Sequence, residues 1–237
     1  MQADTTTGEI LEVWDWETAR PTGKQVDRET AHRTGVPHEA VHLWIVRSTG
    51  GRREVLFQHR SPDKPIHPDC LDITVGGHAP YGFGGNKILK EAREEVGIEP
   101  DAKRLIDLGW CRYEEREGAI FQREFLHVFL LLDNRSLTRY RFNDGEVTGI
   151  YAVGFDDLLK IFAGEHSCEI RGFNGTERVR KTVSRRDFHP QLFDRSMARY
   201  REVFLSAAAE LAGGGRVTTI MPDLQTPSCA GYPLERS

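Results

Sequence analysis

The sequence predicts an α+β sandwich built around one core. Three observations carry this expectation. Alternating apolar runs, rich in β-branched and aromatic residues, recur between residues 11 and 154. Short amphipathic helical patterns lie among them, and a longer helical stripe follows near residue 200. The 237 residues suffice for one large domain with a sizeable core.

Taken in order, LEVWDWE (residues 11–17) alternates in places and is expected to start a strand. Asp27 is placed to cap a short helix that ends before Gly35-Val36-Pro37. AVHLWIVRS (40–48) and REVLFQHR (53–60) are strong strands joined by a Thr-Gly-Gly-Arg hairpin loop. SPDKPIHPD (61–69) must be a loop, because its three prolines exclude regular pairing. LDITV (71–75) reads as one short strand. A helix is expected over 86–96, with Asn86 as N-cap and Gly97 just past its end. RLIDLGWCRYE (104–114) and AIFQREFLHVFLLL (119–132) form a second hairpin around Glu117-Gly118, and GIYAVG (149–154) is a further strand. FDDLLKIFAG (155–164) is a short amphipathic helix, and residues 191–211 form a longer one. The basic run ERVRKTVSRRDFH (177–189) reads as a solvated connection into that helix, with a substrate lid as the alternative. No internal repeat is present. One domain is expected over residues 1–212, with an N-terminal extension and C-terminal helices, and a flexible tail over 213–237.

Composition excludes several classes. A net charge of -4 and a pI of about 6.2 argue against a nucleic-acid polymer or a membrane surface as partner. The apolar run 125–132 is interrupted by His127 and is too short to cross a bilayer. The opening MQADTTTGEI lacks the basic and apolar regions of a signal peptide. Cys70, Cys111, Cys168 and Cys229 are scattered without a CxxC spacing, which fits a reduced, cytoplasmic protein.

Residues 76–98 read GGHAPYGFGGNKILKEAREEVGI. Helical spacing puts Glu91, Glu94 and Glu95 side by side, where their charges repel one another. A bare charge run of this kind is ordinarily a solvated helix face. A divalent cation would offset the repulsion, since hard cations prefer oxygen ligands.

This stretch resembles the signature of the Nudix hydrolases, G-x5-E-x7-R-E-U-x-E-E-x-G-U, where U is aliphatic. Lys90, Glu91, Ala92, Arg93, Glu94, Glu95, Val96, Gly97 and Ile98 match its second half, and Gly76 matches its first glycine. The resemblance implies a mixed sheet sandwiched between helices (α/β/α) and metal-binding roles for Glu91, Glu94 and Glu95. Two departures stand out. The first signature glutamate falls on Gly82, or on Phe83 after a one-residue deletion, and neither supplies a carboxylate. The arginine is Lys90, which keeps the charge without the bidentate fork.

The flanks, roughly residues 11–162, are similar to the Nudix branch that contains type I isopentenyl-diphosphate isomerase and its hydrolase-like relatives. That resemblance implies metal binding by His32, His38 and His78 and by Glu124, while Gln122 replaces a second glutamate. His78 is the strongest of the histidines, because it lies on the loop before the glutamate helix; any of them alone reads as an ordinary polar residue. The isomerase's catalytic cysteine falls on Gly76, which offers neither acid nor base and argues against isomerase chemistry.

The function expected is therefore Mg²⁺- or Mn²⁺-dependent, MutT-like pyrophosphohydrolysis of a small-molecule diphosphate. The substrate class is a nucleoside diphosphate derivative or a related organic diphosphate. Glu91, Glu94, Glu95 and Glu146 are the catalytic candidates, and Glu91, Glu94, Glu95, Glu124 and His78 the metal ligands. Arg60 and Lys64 are expected to meet substrate phosphate, and Tyr81 and Phe83 to contact substrate from the glycine-rich loop. Non-catalytic binding of a diphosphate is the alternative, favoured by the missing glutamate. A homodimer is compatible with the sequence, which leaves the oligomeric state open.

Overall fold

The computed structural model describes residues 8–222 and 224. The expected absence of a signal peptide rests mainly on residues 1–7, which lie outside the described residues, as does Cys229. Two strands, β1 (Ile10–Asp15) and β2 (Arg20–Asp27), form a hairpin that leads into α1 (Arg28–Thr34). Asp27 caps α1 by accepting from Thr30 N at 2.8 Å. The main sheet then begins with β3 (His38–Thr49), β4 (Arg52–Arg60), β5 (Leu71–Asp72) and β6 (Val75–His78). The expected single strand over 71–75 is thus two short ones. Between them Thr74 turns inward, donating to Leu56 O at 2.5 Å and accepting from Ile45 N at 2.9 Å.

Helix α2 (Lys87–Val96) follows, capped by Asn86 and closed by Gly97, whose φ of 65° suits glycine. The hairpin β7 (Ile106–Glu117) and β8 (Ile120–Leu132), strand β9 (Val147–Gly154) and helix α3 (Phe155–Ala163) come next. Strands β10 (Ser167–Phe173) and β11 (Arg178–Ser184) precede the last helix, α4 (Ala198–Ala212).

Strand β3 is the organising element. It pairs antiparallel with β6 at one end and β4 at the other, and parallel with β8 along its length. The sheet runs β11-β10-β9-β4-β3-β8-β7, with β5 beside β4 and β6 beside β3. Alternate β3 residues face opposite sides. Ala40, Trp44 and Val46 join a core with α4, where Trp44 stacks on Phe204 at 4.0 Å between ring centroids. Val41, Leu43 and Ile45 join the core beneath α2, with Ile88, Ala92 and Val96. Helices thus cover both faces, and the fold is the expected mixed-sheet sandwich.

Three further expectations need correction. The basic run 177–189 is largely strand β11, paired with β10 over seven residues from Ser167↔Ser184 to Phe173↔Arg178. Buried apolar side chains are sparse in this arm, Ile170 and Val183 on one face and Phe173 at the end of β10 on the other, so its polar residues mask the strand pattern. The last helix starts at Ala198 rather than near 191. Pro190–Phe193 is a 3-10 turn, and Asp194 accepts from Ser196 N and Oγ, which ends that turn locally. Finally, the first part of the expected loose tail is docked: Met221 is 5 % exposed and its N–H donates to Leu108 O. The rest of that tail lies outside the described residues, apart from Leu224. Among the described residues no helix is long and apolar enough to cross a membrane.

Candidate active site

A cavity of about 460 Å³ opens where α2, β6, the end of β4 and the loop before β9 converge. On one side α2 presents its glutamates to the backbone of β6. Gly76 N donates to Glu95 Oε2 at 3.0 Å. A β-carbon added at Gly77 would lie 2.5 Å from the Glu91 carboxylate, so glycine is what lets helix and strand approach this closely. Lys90 takes up the orienting position expected of the signature arginine. Its Nζ donates to Glu91 Oε1 at 3.1 Å and to Glu94 Oε2 at 2.6 Å.

Burial is the main influence on two of these acids. It pushes Glu91 above the ordinary carboxylate value although Lys90 opposes it, and pushes Glu95 well above it despite the Gly76 bond. Glu95, Asp144 and Glu146 each offer an oxygen, all within 4.8 Å of one another. Glu146 is salt-bridged to Lys64, and although burial raises its pKa, that partner brings it below the usual value. Converging carboxylates, Glu95 buried and Asp144 and Glu146 at the solvent-exposed edge, form an all-oxygen donor set that fits a hard divalent cation. Asp144 was not anticipated; the Asn-Asp-Gly-Glu turn in which it lies was the available signal.

A second group stands apart from the first by its chemistry. In the parallel register of β3 and β8, His38 lies opposite Glu124, while Ala40 lies opposite His78 in the pairing with β6. His32, in the last turn of α1, completes the set. One ligand atom from each of these four residues lies within 4.8 Å of the others. His32 Nε2 and His78 Nε2 are 3.2 Å apart, and His78 Nε2 is 3.4 Å from Glu124 Oε1. His38 Nδ1 faces Val36 O at 2.9 Å, which makes it the protonated nitrogen and leaves Nε2, buried and without a hydrogen-bond partner, turned inward. Burial, then the His78 charge, holds His32 down at about 3. Burial also lowers His78. Burial would raise Glu124, but His38 and His78 keep it well below the carboxylate range. Imidazoles gathered around an ionised carboxylate fit a transition-metal cation. Gln122, at the place of the missing glutamate, donates to Glu124 Oε1 at 2.6 Å.

The expected metal ligands therefore fall into two groups, with Glu91, Glu94 and Glu95 in one and His78 and Glu124 in the other. Both line the same cavity. Lys64 and Arg60 line it too, but the Arg60 guanidinium is occupied: it donates to His67 O, Ile66 O and Asp72. It clamps the proline-rich loop to β5. Tyr81 and Phe83 are 39 % and 37 % exposed and lie outside the cavity lining. His189 and Gln191, from the segment before α4, line the cavity and went unanticipated. His189 is held there by its N–H, which donates to Leu71 O at 2.8 Å. At Gly76 an added β-carbon would lie 2.5 Å from Ile73 Cδ1, so a cysteine there would require Ile73 to move.

No family model matches the chain. It is 29% identical over 152 residues to an uncharacterized Nudix hydrolase of Clostridium acetobutylicum, covering 64% of this chain and 73% of that protein. Identity is also 29%, over 151 residues, with Nudix hydrolase 3 of Arabidopsis thaliana, a match that spans 61% of this chain but only 19% of the plant protein. A crystal structure from Deinococcus radiodurans superimposes with a TM-score of 0.50 at 25% identity, covering 65% of this chain and 89% of that one. With the glutamate helix packed on a glycine-bearing strand, these likenesses make the chain similar in sequence and fold to the Nudix hydrolases.

Proposed function

We propose that the protein is a Mg²⁺- or Mn²⁺-dependent pyrophosphohydrolase that cleaves the diphosphate linkage of a nucleoside diphosphate derivative or a related organic diphosphate. The observation that carries this reading is the gathering of Glu91, Glu94, Glu95, Asp144 and Glu146 with Lys64 around one cavity. Glu91, Glu95, Asp144 and Glu146 would hold the cation, with Glu94 at the rim. Bound there, a cation would supply positive charge to the phosphate oxygens and, by polarising them, leave the reacting phosphorus more open to attack.

The chain's own groups do the rest. Lys64 offers an ammonium to a phosphate oxygen once substrate displaces Glu146 from it. Glu146, ionised at neutral pH, accepts the proton of the attacking water as the bridging P–O bond breaks. Lys90 fixes the rotamers of Glu91 and Glu94, so little reorganisation is needed when the cation enters. His32, His38, His78 and Glu124 form a second cation site on the same cavity wall, where positive charge would favour an anionic substrate.

The test is release of phosphate or pyrophosphate from nucleoside triphosphates, dinucleotide and sugar-nucleotide diphosphates and prenyl diphosphates, with Mg²⁺, Mn²⁺ or chelator. Glu95→Gln is assayed beside the parent. Turnover that requires metal and falls at least ~100-fold in the variant is expected. Saturable ligand binding without turnover would instead establish a binding protein, the reading favoured by Gly82 and Phe83 at the first glutamate position.

A further inference from the structure

Away from the cavity, Asp157, His166 and Cys168 converge where α3 meets β10. Asp157 lies in the first turn of α3, His166 immediately precedes β10, and Cys168 is the second residue of that strand. His166 and Cys168, two residues apart in extended chain, point to the same side. His166 Nε2 is 2.9 Å from Asp157 Oδ1, and one ligand atom from each of the three lies within 4.8 Å of the others. All three are partly exposed, and a surface cleft lined by His166, Ser184, Arg185 and Phe193 gives solvent access.

We propose that Asp157, His166 and Cys168 form a separate transition-metal site, best suited to Zn²⁺, that ties α3 to the β10–β11 arm. The donor set decides the ion: a thiolate, an imidazole and a carboxylate are the ligand types zinc accepts, whereas Mg²⁺ does not favour sulfur. Tetrahedral bonds of about 2.0–2.3 Å put ligand atoms within about 3.8 Å of each other, so the group needs only a small closure. Burial, then Asp157, raises the Cys168 thiol, and a bound cation would release its proton. Three protein ligands leave the fourth position to water from the cleft. The arm it secures leads directly to His189 and Gln191 in the main cavity, so the site acts on the stability of one cavity wall and takes no part in hydrolysis.

Cobalt separates this site from the other two, since neither of those contains sulfur. Co²⁺ is titrated into the metal-free full-length protein and the near-ultraviolet thiolate-to-cobalt charge-transfer absorption is recorded. The expected result is a saturable band in the parent and in Glu95→Gln, lost in Cys168→Ser and weakened at least 10-fold in apparent affinity in Asp157→Asn. Zn²⁺ should compete the band away and raise the parent's melting temperature more than that of Asp157→Asn. Asp157→Asn preserves side-chain shape, so it decides the matter if Cys168→Ser fails to fold. A parent without the band, a band that persists in Cys168→Ser, or equal affinity in Asp157→Asn would each overturn the site and reduce the group to a hydrogen-bonded pair beside a cysteine.

Discussion

Gly77 and Glu91 are in direct apposition: the space a β-carbon would need at Gly77 is occupied by the Glu91 carboxylate, 2.5 Å away at Cδ and Oε2. Helix α2 is thus held to β6 at a distance only glycine permits, and this fixes where the signature carboxylates point. Gly77→Ala is expected to displace Glu91, destabilise the fold by about 1–3 kcal/mol and raise the metal concentration needed for half-maximal activity. Denaturant unfolding and metal titration of the rate check this. An unchanged metal dependence would show that Glu91 is not a ligand.

Lys90 stands where a guanidinium is expected and bridges Glu91 and Glu94. Lys90→Met should lower activity about 10–100-fold, the usual effect of removing an outer-shell partner of metal ligands. Lys90→Arg should retain activity, because guanidinium can satisfy both carboxylates. The readout is the rate as a function of metal concentration, in which the Met variant shifts to higher metal.

Replacing the missing carboxylate should not help. Gly82 has a φ of 72°, and Phe83 lies outside the cavity lining. Phe83→Glu is expected to leave kcat/KM and metal dependence unchanged. A large gain in rate would mean that the loop closes over the cavity during turnover.

Acid should destabilise the fold through His42, which is buried and bonded through Nδ1 to Tyr200 Oη at 3.0 Å. Burial holds its pKa at about 4, against 6.5 in the unfolded chain; Glu124 and Asp72 oppose this, and His189 and His78 reinforce it. The unfolded chain therefore binds the proton first. Stability is fully present above pH 6.5 and is lost as pH falls toward 4. At about 1.4 kcal/mol per unit the loss is on the order of 3 kcal/mol. Melting at pH 7 and pH 5 should differ less in His42→Gln than in the parent.

The sheet and its central hairpins were legible because β3, β4, β7 and β8 carry long, β-branched and aromatic runs that satisfy both faces of a buried strand. The β10–β11 arm was not: Ile170, Phe173 and Val183 are its deeply buried apolar residues, too few and too divided between the faces to mark a period. The glutamate helix was legible from its spacing and its caps, Asn86 and Gly97. Asp144, His189 and Gln191 were hidden because they reach the cavity from distant loops, and no local pattern distinguishes them from surface residues. His32, His38 and His78 were grouped by the family resemblance and by no local pattern, and it is the β3 register and the turn of α1 that bring their separate segments together in space.

The most direct test of the metal-dependent reading is diffraction at the manganese edge from crystals grown with Mn²⁺ and a non-hydrolysable diphosphate analogue. Anomalous density among Glu91, Glu95, Asp144 and Glu146, in contact with the analogue's phosphates and absent in Glu95→Gln, is the predicted result. A phosphate-bound protein with no manganese at those carboxylates would contradict it.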